Sequence, residues 1–492
     1  MTQLETYFQK FRENIIGIDA TFLSPFGEKQ IIYADWIASG RLYAPIEDKI
    51  KNVFGPYVAN THSEASETGT IMTHAYHLSQ KIIKKHVNAS CDDVLIATGN
   101  GMTGAVSKFQ RIIGLKVPER IFDYYPSINL EEKDRPVVFV THMEHHSNHT
   151  SWNETIADVV ILEPDDNMQV CYTKFRETIK QYADRKLIIG AFSACSNVTG
   201  IQPDYHQLAR IVHEHGGYCF VDFAASAPYV PINMHPADPM ESLDAIFFSP
   251  HKFLGGPGSS GVLIFNKSLY KNKIPDHPGG GTVRWTNRWN ERSYIDDIET
   301  REDGGTPGFL QAIRIALAIE LKEQMGCENI HKRENELIEI AFTELKKFKK
   351  LHILAEEHTN RIGVFSFFIE GIHHNLVVKL LNDYFGIQVR GGCSCAGTYG
   401  HFLLNVDLFK SKSISSKIES GDLTLKPGWV RLSLHPTMTN DELYFILDAI
   451  KQVIDNVDVW KEDYYFDKNL GEFFHKTYAK KTCEDFKEWF KL

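Results

Sequence analysis

Seven runs of strand length, each almost continuously apolar, punctuate residues 90–266 and narrow the folds open to this chain. They are Asp93-Val-Leu-Ile-Ala-Thr98, Pro136-Val-Val-Phe-Val-Thr141, Val159-Val-Ile-Leu162, Lys186-Leu-Ile-Ile-Gly190, Tyr218-Cys-Phe-Val-Asp222, Ala245-Ile-Phe-Phe-Ser249 and Gly261-Val-Leu-Ile-Phe265. Alternating hydrophobicity would describe strands with one wet face. Continuous hydrophobicity describes strands buried on both faces, as in a parallel sheet flanked by helices. Most gaps are long enough for a crossover helix, and one carries Leu208, Ile211 and Val212 at helical spacing. The gap between Ser249 and Gly261 holds only eleven residues, five of them Gly or Pro. No helix fits there, so the seventh strand is expected to return antiparallel. The expected architecture is α/β: a mixed, mostly parallel seven-stranded sheet flanked by helices.

A second region follows the turn-rich Gly304-Gly-Thr-Pro-Gly308. Residues 309–348 read as two helices, Ile362-Gly-Val-Phe-Ser-Phe-Phe368 as a strand, 374–385 as a helix, Trp429-Val-Arg-Leu-Ser433 as a strand and 439–457 as a closing helix. The polar, Ser/Lys-rich stretch 405–428 reads as an exposed loop. This reading divides the chain into an N-terminal segment (1–34), a large domain (35–308), a smaller α+β domain (309–457) and an extension of amphipathic helices (458–492).

Composition removes several classes of function. The 492 residues are 43% hydrophobic and 24% charged, values of a globular protein with a large core. The net charge of −10, from 63 acidic and 53 basic residues, argues against nucleic acid as the main partner. No run approaches the length of a membrane-spanning helix, and the N-terminus lacks the pattern of a secretory signal. Eight mostly scattered cysteines then read as thiols of a cytoplasmic protein. A metal site is not expected, because Cys393 and Cys395 have no second Cys/His pair at suitable spacing.

In open α/β sheets, ligands bind beyond the carboxyl ends of the strands, and polar residues collect there. Gly99-Asn-Gly-Met-Thr-Gly104 follows the first run and leads into a helical pattern; its amides and Thr103 could meet a phosphate, or the glycines could serve an ordinary turn. Met143-Glu-His-His-Ser-Asn148 follows the second run and Ser193-Ala-Cys-Ser-Asn-Val-Thr-Gly200 the fourth. The fifth ends on Asp222, a carboxylate costly to bury without a partner. The sixth delivers Ser249-Pro-His-Lys252, an amine among apolar residues that would lower its pKa. A phosphate loop, an aromatic ring, a carboxylate and a desolvated amine on one sheet edge are what pyridoxal phosphate requires.

These residues resemble the class V aminotransferase family of fold-type I pyridoxal-phosphate enzymes, in its cysteine desulfurase and selenocysteine lyase branch. The resemblance spans residues 33–457. It rests on Glu144-His-His-Ser-Asn148, Ser196-Asn-Val-Thr-Gly200, Ser249-Pro-His-Lys252, Gly279-Gly-Gly281, Gly305-Thr-Pro307 and Arg390-Gly-Gly-Cys-Ser-Cys-Ala396. It implies that Lys252 bonds the cofactor, His145 stacks on its ring, Asp222 meets the ring nitrogen and Asn197 lies near both its hydroxyl and the substrate carboxylate. It further implies a phosphate held by the Met102 backbone, Thr103, Ser249 and His251, and by Thr306 of the neighbouring subunit, hence a homodimer. Arg431, with Arg390 nearby, would bind the substrate carboxylate. Cys395 would take sulfur from L-cysteine as a persulfide, leaving alanine, and pass it to an acceptor protein.

Two departures stand out. Ala225 occupies the place where desulfurases usually carry a glutamine touching the cofactor hydroxyl. Cys393 stands beside Cys395 as a second candidate nucleophile, in a Cys-Ser-Cys loop similar to that of molybdenum cofactor sulfurases, with Cys395 the favoured of the two. A selenocysteine lyase, an amino-acid epimerase or an aminotransferase would share Lys252, Asp222, His145 and Arg431, and the latter two would not need Cys395. A non-catalytic sulfur-relay or scaffold protein is the rival from another class.

Overall fold

All seven apolar runs enter a single sheet. The structure is a computed structural model and describes residues 2–61, 64–125 and 130–492. The strands are β1 (Asp93–Thr98), β2 (Val137–Thr141), β3 (Asp158–Leu162), β4 (Ile188–Ser193), β5 (Tyr218–Asp222), β6 (Ala245–Phe248) and β7 (Gly261–Asn266). Their order is β1-β7-β6-β5-β4-β2-β3. The pairs β6/β5, β5/β4, β4/β2 and β2/β3 are parallel, whereas β7 runs antiparallel to both β6 and β1. The short, Gly/Pro-rich connection before β7 therefore does what its length demands: it reverses the chain instead of crossing over. Because β7 opposes both neighbours, β1 still points the same way as β6, and six carboxyl ends share one edge.

Two apolar layers cover the sheet. On one face, helix α1 (Met102–Ile112) seats Phe109 among Phe220, Phe247 and Phe265, with ring centroids 5.0, 5.7 and 5.1 Å apart. On the other, Val137, Phe139, Val221, Ile246 and Ile264 join the larger cluster that continues into the C-terminal half of the chain.

That half forms a four-stranded antiparallel sheet in the order β8 (Leu351–Ile353), β9 (Val364–Ile369), β11 (Trp429–Ser433) and β10 (Arg390–Gly392). Helices over Phe309–Met325, Cys327–Leu345, His374–Phe385 and Asn440–Trp460 accompany it, as the periodicity anticipated. The sheet reading anticipated β9 and β11 and missed the two short strands β8 and β10.

Other differences are local. The stretch read as a loop at 405–428 contains helix α3 (Leu408–Glu419), capped by the Asp407 side chain on Lys410 N–H. None of its residues is buried, which is why it lacks an apolar stripe. The extension at 458–492, expected to be helical, instead forms the hairpin Tyr464–Asp467/Glu472–His475 followed by a 3-10 segment, Cys483–Phe490. The hairpin aromatics pair across the strands, Phe466 with Phe473 and Tyr465 with Phe474, so their spacing served a period of two. No helix among the described residues is long and apolar enough to cross a membrane.

Phe109 is fully buried and holds α1 against the sheet. Phe109→Ala is expected to cost about 3–5 kcal/mol, measured as a lowered urea midpoint with an unchanged slope.

Candidate functional site

The carboxyl edge of the large sheet opens into a cavity of about 540 Å³. Five connections build its floor. Gly99, with φ +59°, turns the chain from β1 into α1, whose first residues Met102 and Thr103 face the cavity. A Cβ on Gly101 would lie 3.0 Å from Ser249 Oγ, so glycine lets this loop close onto the β6 connection. Met102 N–H donates to Ser249 Oγ at 2.8 Å, and the hydroxyls of Thr103 and Ser147 meet at 2.6 Å. The N-cap residue Gly101 supplies no capping side chain of its own, so Ser249 meets the Met102 amide and the positive helix end faces the cavity.

After β2 the chain enters helix α2 (His146–Asn153), capped by His145, whose Nδ1 accepts the Ser147 N–H at 3.1 Å. Glu144 lies just before it, fully enclosed, and accepts from Thr141, Ser193 and Asn148. These contacts bind the end of β2 to the end of β4. Burial raises the Glu144 carboxyl pKa against those hydrogen bonds. After β4, Asn197 donates through Nδ2 to Ser394 O at 2.7 Å. Its Oδ1 is buried and has no hydrogen-bond partner among the described residues.

Asp222 ends β5 beside Ser193 in the paired register, and its Oδ1 accepts Ala224 N–H at 2.7 Å. Burial raises its pKa to about 7, opposed by that amide and by Lys252. Lys252 closes a 3-10 turn, Pro250–Lys252. Burial lowers its amine to about 8; Asp222 opposes the shift, while Arg431 and Arg390 add to it. Desolvation thus outweighs the attraction of the two charges for each other. The same burial, reinforced by Lys252, holds His145 at about 3 and His251 at about 4, so both rings are neutral at physiological pH.

The cavity wall comes from the smaller sheet. Arg390 of β10 and Arg431 of β11 stand directly opposite each other. Like charges so placed repel, and Asp35 answers both: Arg431 Nη2 donates to Oδ1 at 2.8 Å and Arg390 Nε to Oδ2 at 3.1 Å. Arg431 Nη1 also donates to Asn197 O at 3.2 Å, and its buried Nε has no partner among the described residues. Sequence reasoning overlooked Asp35. The signal was there, a carboxylate closing the apolar run Ile31-Ile-Tyr-Ala34, as Asp222 closes β5.

The cavity brings together Met102, Thr103, His145, Asn197, Asp222, Ser249, His251, Lys252, Arg390, Cys395 and Arg431 from the sequence reading, and Ala225 lines it as well. It does not include Thr306, which is exposed and donates to Asn60 Oδ1 at 3.2 Å. It does not include Cys393 either. That thiol faces a separate groove of about 180 Å³ formed with Leu404, Ile414, Ile418 and Trp429. The two cysteines, one residue apart, open on different sides of their loop. All eight cysteines are free, and no metal-binding cluster occurs among the described residues.

The profile of the family described as aminotransferase class-V matches residues 32–445. A probable cysteine desulfurase of Staphylococcus epidermidis is 29% identical over 374 residues, covering 75% of this chain and 84% of that protein. One from Staphylococcus aureus is 27% identical over the same length and shares. Among solved structures, the apo cysteine desulfurase of Thermococcus onnurineus has a TM-score of 0.71 at 22% identity, over 91% of this chain and 98% of its own. A cysteine desulfurase from Escherichia coli in an S-sulfonic acid form has a TM-score of 0.70 at 20% identity, with the same coverage. At these identities the structural likeness establishes the fold.

Without ligand, Lys252 is expected to react with an amine-specific reagent as pH rises through about 8, well below the ordinary lysine value of about 10.4. Asp222→Asn removes a group that favours the ammonium form, so the midpoint should fall further. Peptide mass spectrometry of labelled Lys252 across pH reads both.

Proposed function

The chain belongs to the class-V aminotransferases, a family of pyridoxal-phosphate enzymes, and from that premise we propose that it is a cysteine desulfurase converting L-cysteine to L-alanine and an enzyme persulfide. The observation that carries this reading is the placement of Cys395 on the cavity that holds Lys252, Asp222 and His145, while Cys393 faces elsewhere.

The residues fit the cofactor on independent grounds. The open end of α1, the Gly101 cradle, Thr103, Ser249 and His251 suit a phosphate. The unpartnered Asn197 Oδ1 suits a hydroxyl donor, and neutral His145 offers a flat ring. Asp222, burdened by burial, would regain its charge beside a protonated ring nitrogen. Pyridoxal phosphate, when bound, supplies an aldehyde for an amine and a ring that draws electrons from the substrate Cα.

The protein's own groups then have separate tasks. Arg431, with an unused Nε and Arg390 close by, takes the α-carboxylate. Lys252 Nζ, with its pKa lowered to about 8, accepts the Cα proton near neutral pH. Cys395 Sγ receives the substrate sulfur as a persulfide, and the carbon skeleton leaves as alanine. Arg390 and Arg431 line the same cavity as Cys395. The reading extends to a cytoplasmic homodimer, with Thr306 reaching the partner's phosphate site and an acceptor protein collecting the sulfur.

Incubation with L-cysteine should release alanine, and sulfide when a reductant is present. Cys395→Ala should reduce this to background while Cys393→Ala keeps it. Turnover of another amino acid that survives Cys395→Ala would instead mark an epimerase or aminotransferase.

A further inference from the structure

The Cys395 loop carries unusual backbone strain. Ser394 and Cys395 are consecutive non-glycine residues in the left-handed region, with φ of 51° and 57°. Each such residue costs about 1–2 kcal/mol, and this conformation persists only where the surroundings impose it. Neither residue is a glycine, so the local sequence does not select the turn. Something outside the loop must hold it.

Three contacts do so. Asn197 Nδ2 donates to Ser394 O. The other two come from a single residue: His146 N–H donates to Cys395 O at 2.8 Å, and His146 Nε2 accepts Gly397 N–H at 2.9 Å. His146 therefore grips the loop on both sides of Ala396. It is the first residue of α2 and directly follows His145, which faces the cavity. The next turn of the helix adds His149 Nδ1 against Thr398 Oγ1 at 3.1 Å.

We propose that His146 is a positioning residue that holds the Cys395 loop in its strained form and thereby sets the nucleophile against the cavity. This rests on the desulfurase reading for its catalytic consequence and on the hydrogen bonds alone for its structural one. Two neighbours in sequence would then carry the two halves of the chemistry, His145 toward the electron sink and His146 toward the nucleophile. Because a backbone N–H can only donate, Nε2 must be unprotonated, and the ring proton belongs on Nδ1.

A pH dependence follows. Burial lowers the His146 pKa below its ordinary value of about 6.5, so the grip is complete at neutral pH. It is lost as pH falls through that lowered value, when a second ring proton would face the Gly397 N–H. The titratable groups facing His146 are His145 and His149 on its own helix and Cys395 on the loop. His401, whose Nδ1 meets Gly397 O at 2.7 Å, lies just beyond. His145 and His149 are likewise lowered by burial.

His146→Leu removes the acceptor, and His146→Gln restores one. Gly397→Ala attacks the contact from the loop, since its Cβ would lie 3.2 Å from Nε2. The measurements are amide hydrogen exchange of the peptide 393–400, the resting visible spectrum of the holoenzyme and single-turnover alanine formation. His146→Leu and Gly397→Ala should both speed exchange and slow alanine formation about 10- to 100-fold, the range expected of a misplaced reacting group. The visible spectrum should not change, and His146→Gln should recover part of each loss. Wild-type exchange, corrected for its intrinsic rate, should accelerate by a step that His146→Gln lacks as pH falls below the ordinary histidine value of about 6.5. Wild-type protection in both His146→Leu and Gly397→Ala overturns the proposal, as does loss of protection with alanine formation unimpaired. If the wild type forms no alanine, the desulfurase reading fails, and exchange still decides whether His146 holds the loop.

Discussion

A parallel sheet covered on both faces leaves its strands no room for polar side chains except at their ends. Here β2, β4, β5 and β6 are almost wholly buried. Their carboxyl ends, with that of β1, point to one edge. The polar groups that the sheet interior cannot hold are thus gathered at that edge, in the cavity. The burial that makes the sheet stable also desolvates Asp222 and Lys252. Each favours the charged form of the other, yet burial wins in both, leaving a carboxyl at about 7 and an amine at about 8. Neither value needs a special device; both follow from placing a charge where the core begins.

The second sheet presents a different problem, two arginines opposed across neighbouring strands. Asp35 resolves it by giving one carboxylate oxygen to each. Its strand, Ile32–Tyr33, pairs with Ile387–Gln388, and Asp35 itself bridges to Ser433. The N-terminal segment is thereby stitched into the wall of the cavity. The arrangement leaves the Arg431 Nε buried and without a hydrogen-bond partner among the described residues. The guanidinium is thus held in one orientation by Asp35 and the Asn197 carbonyl.

The loop 393–397 shows how finely such an arrangement divides chemically equal groups. Cys393 and Cys395 share a motif, and nothing in their side chains distinguishes them. Two successive left-handed residues turn the backbone so that one thiol enters the cavity and the other an apolar groove beside α3. The surroundings then differ, charged groups of the cavity for one thiol and a largely apolar groove for the other.

The strands, their burial and the antiparallel return of β7 were legible in the residues, because continuous hydrophobicity and an eleven-residue gap admit few alternatives. Lys252, Asp222, His145 and Asn197 were legible for the same reason: each follows a buried run at the end where polar groups must go. The short strands β8 and β10, helix α3 and the hairpin at 464–475 were not. They are brief or exposed, and elements that bury little leave no clear periodicity. The fit of Asp35 between two arginines lay equally out of reach, since 355 and 396 residues separate it from its partners. So did the division between the two cysteines and the double hydrogen bond of His146 to their loop. Hydrophobic pattern is a one-dimensional property and the chain displays it openly; the pairing of charges and the turn of a strained loop depend on which distant segments meet, and packing alone decides that.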